Sequence, residues 1–317
     1  MERSQPPASA YCENQVLSLN IESSHGFLSS SLRYRSFIAT YSHGRSKVQL
    51  QVRALQQPWT LSCGMVAVVV DGAEEAALRA DNKIPPWTTD IEDSYVNFLQ
   101  SDQAASLFDQ MTNDEYFKFG KDKWHDYESE ALLSKELLAA YNAETAAYEA
   151  LVGHQGKIVP RLLGKVTFDL PPETPVPSNM LDHIQVKGIL LQYLPGFTLS
   201  ELDQHVPQPD WQGVIDEAVR ITRTLGDLNI LNYDVRPSNF MVVPVVNNEY
   251  QVFIIDFGWC RLRQAHESDA EWGRAKWQRD EEGAVGLVMQ HRLREKGYEY
   301  KFEHSLRYLE WAPGEDD

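Results

Sequence analysis

The sequence predicts an α+β protein in which a small antiparallel sheet precedes a mostly helical part. Three observations predict this class: early segments alternate apolar and polar residues as strands do, one long segment repeats apolar residues at helical spacing, and a second strand pair comes late in the chain. The length of 317 residues allows one large domain or two lobes.

The predicted sheet begins with a hairpin. Residues 33–40 and 48–52 are two strands joined by a polar turn, and Met65 to Val70 form the continuous apolar run of a buried strand. Residues 1–31 are rich in Ser, Pro and other polar residues, which predicts a poorly ordered arm with one short strand. We therefore expect order from about residue 32 onward.

Helices are predicted for the middle of the chain. Residues 73–130 are dense in charged and aromatic side chains, which indicates packed helices forming an insertion. A long helix is expected over residues 131–152, ended by the segment 153–157 and by Pro160. Its apolar face consists of Leu133, Leu137, Tyr141, Tyr148 and Leu151, and Glu144 lies on the same face.

The last third of the chain returns to strands around one more helix. Strands are predicted at residues 162–168 and 188–193, and the Leu194-Pro195-Gly196 break that follows is a candidate hinge between lobes. Residues 211–228 are predicted to be mostly helical. Residues 240–243 and 251–255 form a hairpin, with Asp256 at its exit.

Composition excludes several function classes. Lys and Arg number 29 against 46 Asp and Glu, a net charge of −17, so we expect no non-specific binding to nucleic acid or to acidic membranes. The longest aliphatic run is far short of the roughly 20 residues that span a bilayer. Cys12, Cys63 and Cys260 are widely spaced and the N-terminus lacks a signal-peptide pattern, which favours an intracellular location, cytoplasmic or nuclear.

Two loops beside the late hairpin contain polar residues suited to one chemistry. Asp234 and Asn239 lie in the first loop and Asp256 in the second, and the 22 residues between the two aspartates (256 − 234) leave room for one short hairpin. Carboxylate and amide oxygens together with substrate phosphates are the ligands that Mg²⁺ prefers. Each residue alone is also typical of a turn, but the three together in this strand context favour a site.

These loops resemble the catalytic core of the protein-kinase-like superfamily. Asn232-Tyr233-Asp234 stands where the family usually has His-Arg-Asp, and Asp256-Phe257-Gly258 matches its Asp-Phe-Gly. The motif sequences are most similar to those of fungal kinase-like proteins, which have Asp-Val-Arg-Pro-x-Asn-Phe and Ile-Asp-Phe-x-x-Cys-Arg. These motifs correspond here to residues 234–240 and 255–261. The resemblance covers roughly residues 32 to 292.

The resemblance implies a two-lobed kinase-like fold. Residues 32–193 would form an N-lobe with a small antiparallel sheet, the helical insertion at about 73–130 and a helix C at about 131–152. Residues 194–317 would form the hinge and a mostly helical, abridged C-lobe that contains the catalytic and metal-binding loops.

The resemblance also implies an ATP- and Mg-dependent phosphotransferase. Asp234 would be the catalytic base, and Asn239 and Asp256 the metal ligands. Nucleotide binding would involve Lys47, Glu144, Leu191 and Tyr193, with Glu144 in the position of the Glu of helix C. Asp280 matches an Asp that braces the backbone of the catalytic loop in the fungal relatives.

The sequence departs from the family at its phosphate-binding lysine. Counting back from residues 78–84 puts Val68 where the relatives have a Lys on the third strand. In the with-no-lysine kinases a Lys from the preceding loop enters the site instead, and Lys47, or less favourably Arg45, could do so here. The alternative is that Lys47 is an exposed residue at the start of a strand.

Two functions therefore stay open, an active phosphotransferase and a pseudokinase that acts as a binding or scaffold module. Tyr233 replaces the Arg that usually grips a phosphorylated loop, and only 22 residues separate Gly258 from Asp280 (280 − 258). A full peptide-binding activation segment is therefore not expected. The phosphate acceptor, protein or small molecule, stays open, and Cys260 is interpreted as a small hydrophobic residue rather than a nucleophile.

Overall fold

The computed structural model shows an α+β protein with small antiparallel sheets and a mostly helical remainder. It describes residues 80, 83–85, 89–114, 124–168, 176–184, 186–192, 194–246 and 249–312, together with the backbone of five short strands before residue 70. The chain divides into two compact units, one of residues 1–141 and 162–191 and the other of residues 142–161 and 192–317.

A seven-stranded sheet organises the first unit. Its strands are β1 (Val16–Leu17), β2 (Asn20–Glu22), β3 (Phe37–Thr40), β4 (Gln49–Gln51), β5 (Met65–Val69), β6 (Leu162–Phe168) and β7 (Val186–Gln192), in the order β1-β3-β4-β5-β7-β6-β2. The predicted hairpin is confirmed as the antiparallel pair β3–β4, and the predicted buried strand is β5, paired with β4. Residues 1–31 contain two short strands, where the sequence predicts one.

Helices α1 (Thr89–Leu99) and α2 (Gln103–Asn113) pack with the first part of α3 (Asp126–Ala150). Their shared apolar cluster consists of Tyr95, Phe98, Leu99, Ala104, Leu107, Phe108, Met111, Ala131, Leu132, Val176 and Met180. Three of the aromatic residues that indicated packed helices between residues 73 and 130, namely Tyr95, Phe98 and Phe108, therefore supply a core of their own.

Helix α3 begins five residues earlier than predicted and ends two residues earlier. The backbone N–H of His125 donates to the carboxylate of Glu128 at 2.7 Å, which satisfies a donor at the helix start that no intrahelical bond can reach. The predicted apolar face is confirmed, since four of its residues are buried and Leu137 is partly buried. The buried four are Leu133, Tyr141, Tyr148 and Leu151.

Where the structure describes it, the second unit contains two smaller sheets, the end of α3 and four further α-helices. Its strands are β8 (Phe197–Thr198), β9 (Ile230–Asn232), β10 (Phe240–Pro244), β11 (Tyr250–Ile254) and β12 (Cys260–Leu262), and its further helices are α4 (Leu202–His205), α5 (Trp211–Asp227), α6 (Asp269–Arg279) and α7 (Glu281–Glu295). The predicted helix near residues 211–228 and the predicted late hairpin are confirmed as α5 and as the antiparallel pair β10–β11.

Helix α6 was not predicted, although the sequence contains its start signal. Ser268 is the N-cap, and its side chain and that of Glu271 each bond to the backbone N–H of the other residue. Helix α7 follows after a single residue, Asp280, whose backbone is left-handed with φ of 42°. No helix in the described part of the chain is long and apolar enough to cross a membrane.

The irregular backbone at residues 194–196 has a steric cause. A Cβ at Gly196 would collide with the backbone carbonyl of Val242 in β10, so only glycine permits this close approach. The hinge proposed for this break stays a prediction.

Candidate active site

The hairpin of the second unit brings the two predicted loops together. Strand β10 starts directly after Asn239 and β11 ends directly before Ile255, with Phe240 opposite Ile254. The N–H of Ile255 donates to the carbonyl of Asn239 at 2.9 Å. This bond extends the hydrogen-bond pattern of the hairpin by one residue pair beyond Phe240 and Ile254. Asp256 therefore follows a residue that is bonded directly to Asn239.

Asn232, at the end of β9, links both loops. Its Oδ1 accepts from the N–H of Asp234 at 2.9 Å, and its Nδ2 donates to the carbonyl of Asp256 at 3.3 Å. The side chain is buried, with 1% of the residue exposed, so both bonds are shielded from water. The sequence signal for this role is a polar residue at the end of an apolar strand.

The amide of Asn239 is oriented by Asp234. Its Nδ2 donates to the backbone carbonyl of Asp234 at 2.9 Å and to its carboxylate Oδ2 at 3.0 Å. The Oδ1 accepts from Nε of Arg236 at 3.2 Å. Because an amide oxygen has two lone pairs, Oδ1 retains the capacity to bind a cation.

The carboxylate of Asp234 is engaged on one side. Oδ2 accepts from Asn239 and from Nη2 of Arg236, each at 3.0 Å. No residue within the described ranges makes a hydrogen bond to Oδ1, and 31% of the side chain is exposed. One carboxylate oxygen is thus held while the other can meet a hydroxyl group.

Asp256 has a left-handed backbone with φ of 69°. Asp and Asn tolerate this region better than other residues with side chains, although the conformation is uncommon. The next residue, Phe257, is fully buried and packs edge-on against Tyr148 of α3, with ring centroids 5.5 Å apart. The packing of Phe257 therefore fixes the backbone that presents Asp256.

Two carboxylates, those of Glu144 and Asp256, act on buried groups next to this cluster. Burial raises the pKa of Tyr148 well above its usual value, and the charges of Glu144 and Asp256 raise it further. Burial, followed by the same two carboxylates, raises the pKa of the Cys260 thiol to about 12. The thiol is free, buried and 3.6 Å from the carbonyl of Ala143, which confirms its interpretation as a small hydrophobic residue.

The role expected of Asp280 belongs to its neighbour. Oε1 of Glu281 accepts from the backbone N–H of Asn232 at 2.9 Å, so Glu281 is the acid that braces the loop backbone. The other oxygen of Glu281 pairs with Lys276, and both side chains are buried. Asp280 instead caps α7 through the N–H of Gly283 and contacts His304, because its left-handed backbone points it away from the loop.

The other predicted site residues are not brought into this cluster. Lys47 and Tyr193 lie outside the described residues, as does the side chain of Val68, whose backbone pairs with Gln49. Leu191 is buried in β7 of the first unit.

Glu144 is half-buried on the part of α3 that belongs to the second unit. Its pairing with Lys47 and the nucleotide contacts of Leu191 and Tyr193 stay predictions.

The donor set near the hairpin suits magnesium. Asn239 supplies an amide oxygen and Asp256 a carboxylate, both hard donors. In the described part of the chain, no group of three or more His, Cys, Asp or Glu side chains is arranged to hold a metal ion. Two protein ligands fit a hydrated cation that arrives with substrate phosphates.

Comparison with known proteins adds no assignment. No protein-family model matches the chain, and a search of the curated proteins finds no significant match. The function must therefore be inferred from the residues of the site.

Proposed function

We propose that the protein is an ATP- and Mg-dependent phosphotransferase of the protein-kinase-like superfamily, with a two-lobed fold and an atypical phosphate-binding site. One observation carries the proposal: the loops of Asp234, Asn239 and Asp256 are hydrogen-bonded into a single cluster around the β10–β11 hairpin. Phosphoryl transfer needs mainly positioning and charge neutralisation, which such a cluster can supply.

Each residue has a distinct role in this reaction. Asp234 Oδ1 would take the proton of the acceptor hydroxyl while the hydroxyl oxygen forms a bond to the γ-phosphorus. The bond between that phosphorus and the β–γ bridging oxygen breaks, and ADP leaves. Asn239 and Asp256 would hold Mg²⁺, which neutralises the phosphate charge when it is bound.

The ATP phosphates need a cation besides the metal ion. Lys47 is the candidate on the sequence, with Glu144 as its counter-charge and with Leu191 and Tyr193 on the adenine side. Arg236 adds positive charge beside Asp234, where its Nη2 lies 3.0 Å from the carboxylate.

A pseudokinase is the second candidate, and one observation favours it. Val68 lies in β5, and counting along the sequence puts it where the kinase-like proteins that this chain resembles have their phosphate-binding Lys. A chain that has lost this residue would keep the fold and the metal ligands as a binding or scaffold module without turnover.

Nucleotide binding is the first test of the phosphotransferase, because a pseudokinase that acts only as a scaffold needs no ATP. We expect calorimetric titration with ATP to show Mg-dependent binding that Asp256→Asn abolishes, because the substitution removes the metal-binding charge while Asn tolerates the left-handed backbone. Asp280→Asn is the matched control, since Asp280 is also left-handed but caps a helix. No binding at millimolar ATP, or equal loss in both variants, would end the proposal.

Turnover then separates the two candidates. We expect Asp234→Asn to bind ATP as the wild type does but to lose at least about a hundredfold in phosphoryl transfer, because the proton acceptor is removed while an oxygen remains for Asn239 and Arg236. ATP binding without turnover in the wild type would identify a pseudokinase. In an active protein, an unchanged rate in Lys47→Ala would remove Lys47 from the mechanism and leave the other roles standing.

A further inference from the structure

A compact set of contacts holds the segment of residues 262–268, which runs from the last residue of β12 to the N-cap of α6. The guanidinium of Arg261 makes two parallel bonds to the carboxylate of Glu267, at 2.7 and 2.6 Å. Its Nε donates to the hydroxyl of Tyr233 at 3.0 Å. Tyr233 directly precedes Asp234, so Arg261 connects this segment to the candidate catalytic loop.

The carboxylate of Glu267 is the centre of these contacts. It also accepts from the backbone N–H of Gln264 at 3.2 Å, and Nη2 of Arg263 donates to its backbone carbonyl at 3.0 Å. The Glu267 side chain is 10% exposed and that of Arg261 is 28% exposed. A bidentate, partly buried pair of this kind is stronger than a surface ion pair.

Tyr233 is fixed from three directions. Its backbone N–H donates to the carbonyl of Trp259 at 2.7 Å, and its hydroxyl accepts from Arg261. The guanidinium of Arg279 lies over its ring, 4.6 Å from the centroid. A residue restrained in this way limits the positions available to the adjoining Asp234.

The sequence leaves little scope for phosphorylation in this region. Ser268 is the only residue with a hydroxyl group between Gly258 and Asp280. Its Oγ accepts from the N–H of Glu271 at 3.2 Å and bonds to the carboxylate of Glu271 at 2.7 Å, so it is engaged as the N-cap of α6.

We propose that Glu267 is a built-in counter-charge for Arg261 and that this pair orders residues 262–268 and restrains Tyr233 beside Asp234 without phosphorylation. The consequence for catalysis rests on the proposed function, whereas the ordering does not. Arg261 and Glu267 are thus positioning residues. On this inference the segment is ordered at all times, and its order does not depend on a regulatory phosphate.

Limited trypsin digestion tests the ordering, because trypsin can cut after Arg261 and Arg263 only when the segment opens. We expect Glu267→Gln to be cut there about tenfold faster than the wild type, measured by mass spectrometry of the fragments. Glu217→Gln is the matched control, since Glu217 makes a similar bidentate pair with Arg220 on the solvent-facing side of α5. Its cleavage at residues 261–263 should match that of the wild type.

Arg261→Lys is a second variant in case Glu267→Gln does not fold, and it should give intermediate cleavage because it keeps the charge but loses the fork of bonds. Equal protection of the wild type and of variants shown to be folded by circular dichroism would overturn the proposal. Faster cleavage of the wild type after phosphatase treatment would also overturn it, because the ordering would then depend on a phosphate.

Kinetics test the positioning. We expect Glu267→Gln to lower kcat at least about tenfold with an unchanged KM for ATP, and phosphatase treatment of the wild type to change neither constant. An unchanged kcat would contradict positioning of the loop at Asp234. A wild type with no turnover but with the expected protease pattern would reject the phosphotransferase and keep the ordering by Glu267.

Discussion

Two asparagines organise the candidate site at the scale of single residues. Asn232 and Asn239 each donate through nitrogen and accept through oxygen, and so connect groups that a carboxylate could not. Asn232 thereby joins the backbone N–H of Asp234 to the backbone carbonyl of Asp256, and Asn239 holds the carboxylate of Asp234.

Glu267 should make stability depend on pH in the acid range. The bond from Arg261, followed by the N–H of Gln264, lowers the pKa of this carboxyl below its usual 4.5. A carboxyl with a lower pKa in the folded state adds stability that is fully present above about pH 4.5 and is lost as the pH falls through the folded value. We expect Glu267→Gln to cost about 2 kcal/mol in urea unfolding at pH 7.

The difference between wild type and Glu267→Gln should shrink below pH 4.5, because the protonated carboxyl no longer attracts Arg261. Glu217→Gln, measured in parallel, should cost less than about 1 kcal/mol, since its pair is exposed. A cost at pH 7 that persists unchanged at pH 3 would show that the charge of Glu267 is not its source.

Cys260 should be inert in the folded protein. Its pKa near 12 instead of 9.0 leaves about a thousandfold less thiolate at pH 8, and burial blocks access as well. In a variant with Cys12→Ser and Cys63→Ser, reaction with a thiol reagent should be at least about a thousandfold slower in buffer than in urea. Comparable rates in the two solvents would refute the burial of Cys260.

The junction of α6 and α7 is the decisive feature at the scale of elements. A single left-handed residue, Asp280, separates the two helices and allows Lys276 of α6 to meet Glu281 of α7 in the interior. Burial lowers the pKa of Lys276 and raises that of Glu281, while their mutual attraction opposes both shifts. Glu281 also holds the end of β9, so the junction supports the candidate catalytic loop.

Breaking this buried pair should be costly. Glu281→Gln retains an oxygen for the N–H of Asn232 but leaves Lys276 without its counter-charge, and we expect a loss of about 3 kcal/mol in the free energy of unfolding. The double variant Lys276→Met, Glu281→Gln should recover most of this loss because no unpaired charge remains. Urea unfolding followed by circular dichroism provides the measurement.

The recovery in the double variant separates charge burial from packing. If Lys276→Met and Glu281→Gln were simply additive, the pair would contribute no coupling and the interpretation of a buried ion pair would be wrong.

Net charge dominates at the scale of the whole molecule. The excess of 17 negative charges repels polyanions, although local clusters of Arg exist beside Tyr233. We expect the protein to pass through a heparin column at about 50 mM salt without retention. Retention that persists at about 150 mM salt would show that a local basic surface outweighs the overall field.

The regular elements were largely predictable because their signals are local. Strand β6 has the predicted bounds, and the hairpin β10–β11 and helix α5 lie within one or two residues of theirs. The spacing of the apolar residues predicts the apolar face of α3. It does not predict where α3 begins, because the start is marked by the bond from the N–H of His125 to the carboxylate of Glu128 rather than by apolar residues. Helix α6 was missed because it is short and rich in charge.

The candidate site was predictable in its residue types but not in its connections. The spacing of Asp234, Asn239 and Asp256 is visible in the chain, and so is the hairpin between them. The assignment of the bracing acid to Asp280 was wrong by one position, because the left-handed backbone at that residue turns its side chain toward α7 and the next one toward the loop.

The sequence by itself determined the α+β class, most of the elements and the set of polar residues at the hairpin. Only the tertiary structure decided which of them bond to one another and that Glu281, Lys276, Arg261 and Glu267 support the loop. The physical reason is distance along the chain. Glu281 bonds to a residue 49 positions away, and such a contact depends on how β9 and α7 pack rather than on any local pattern.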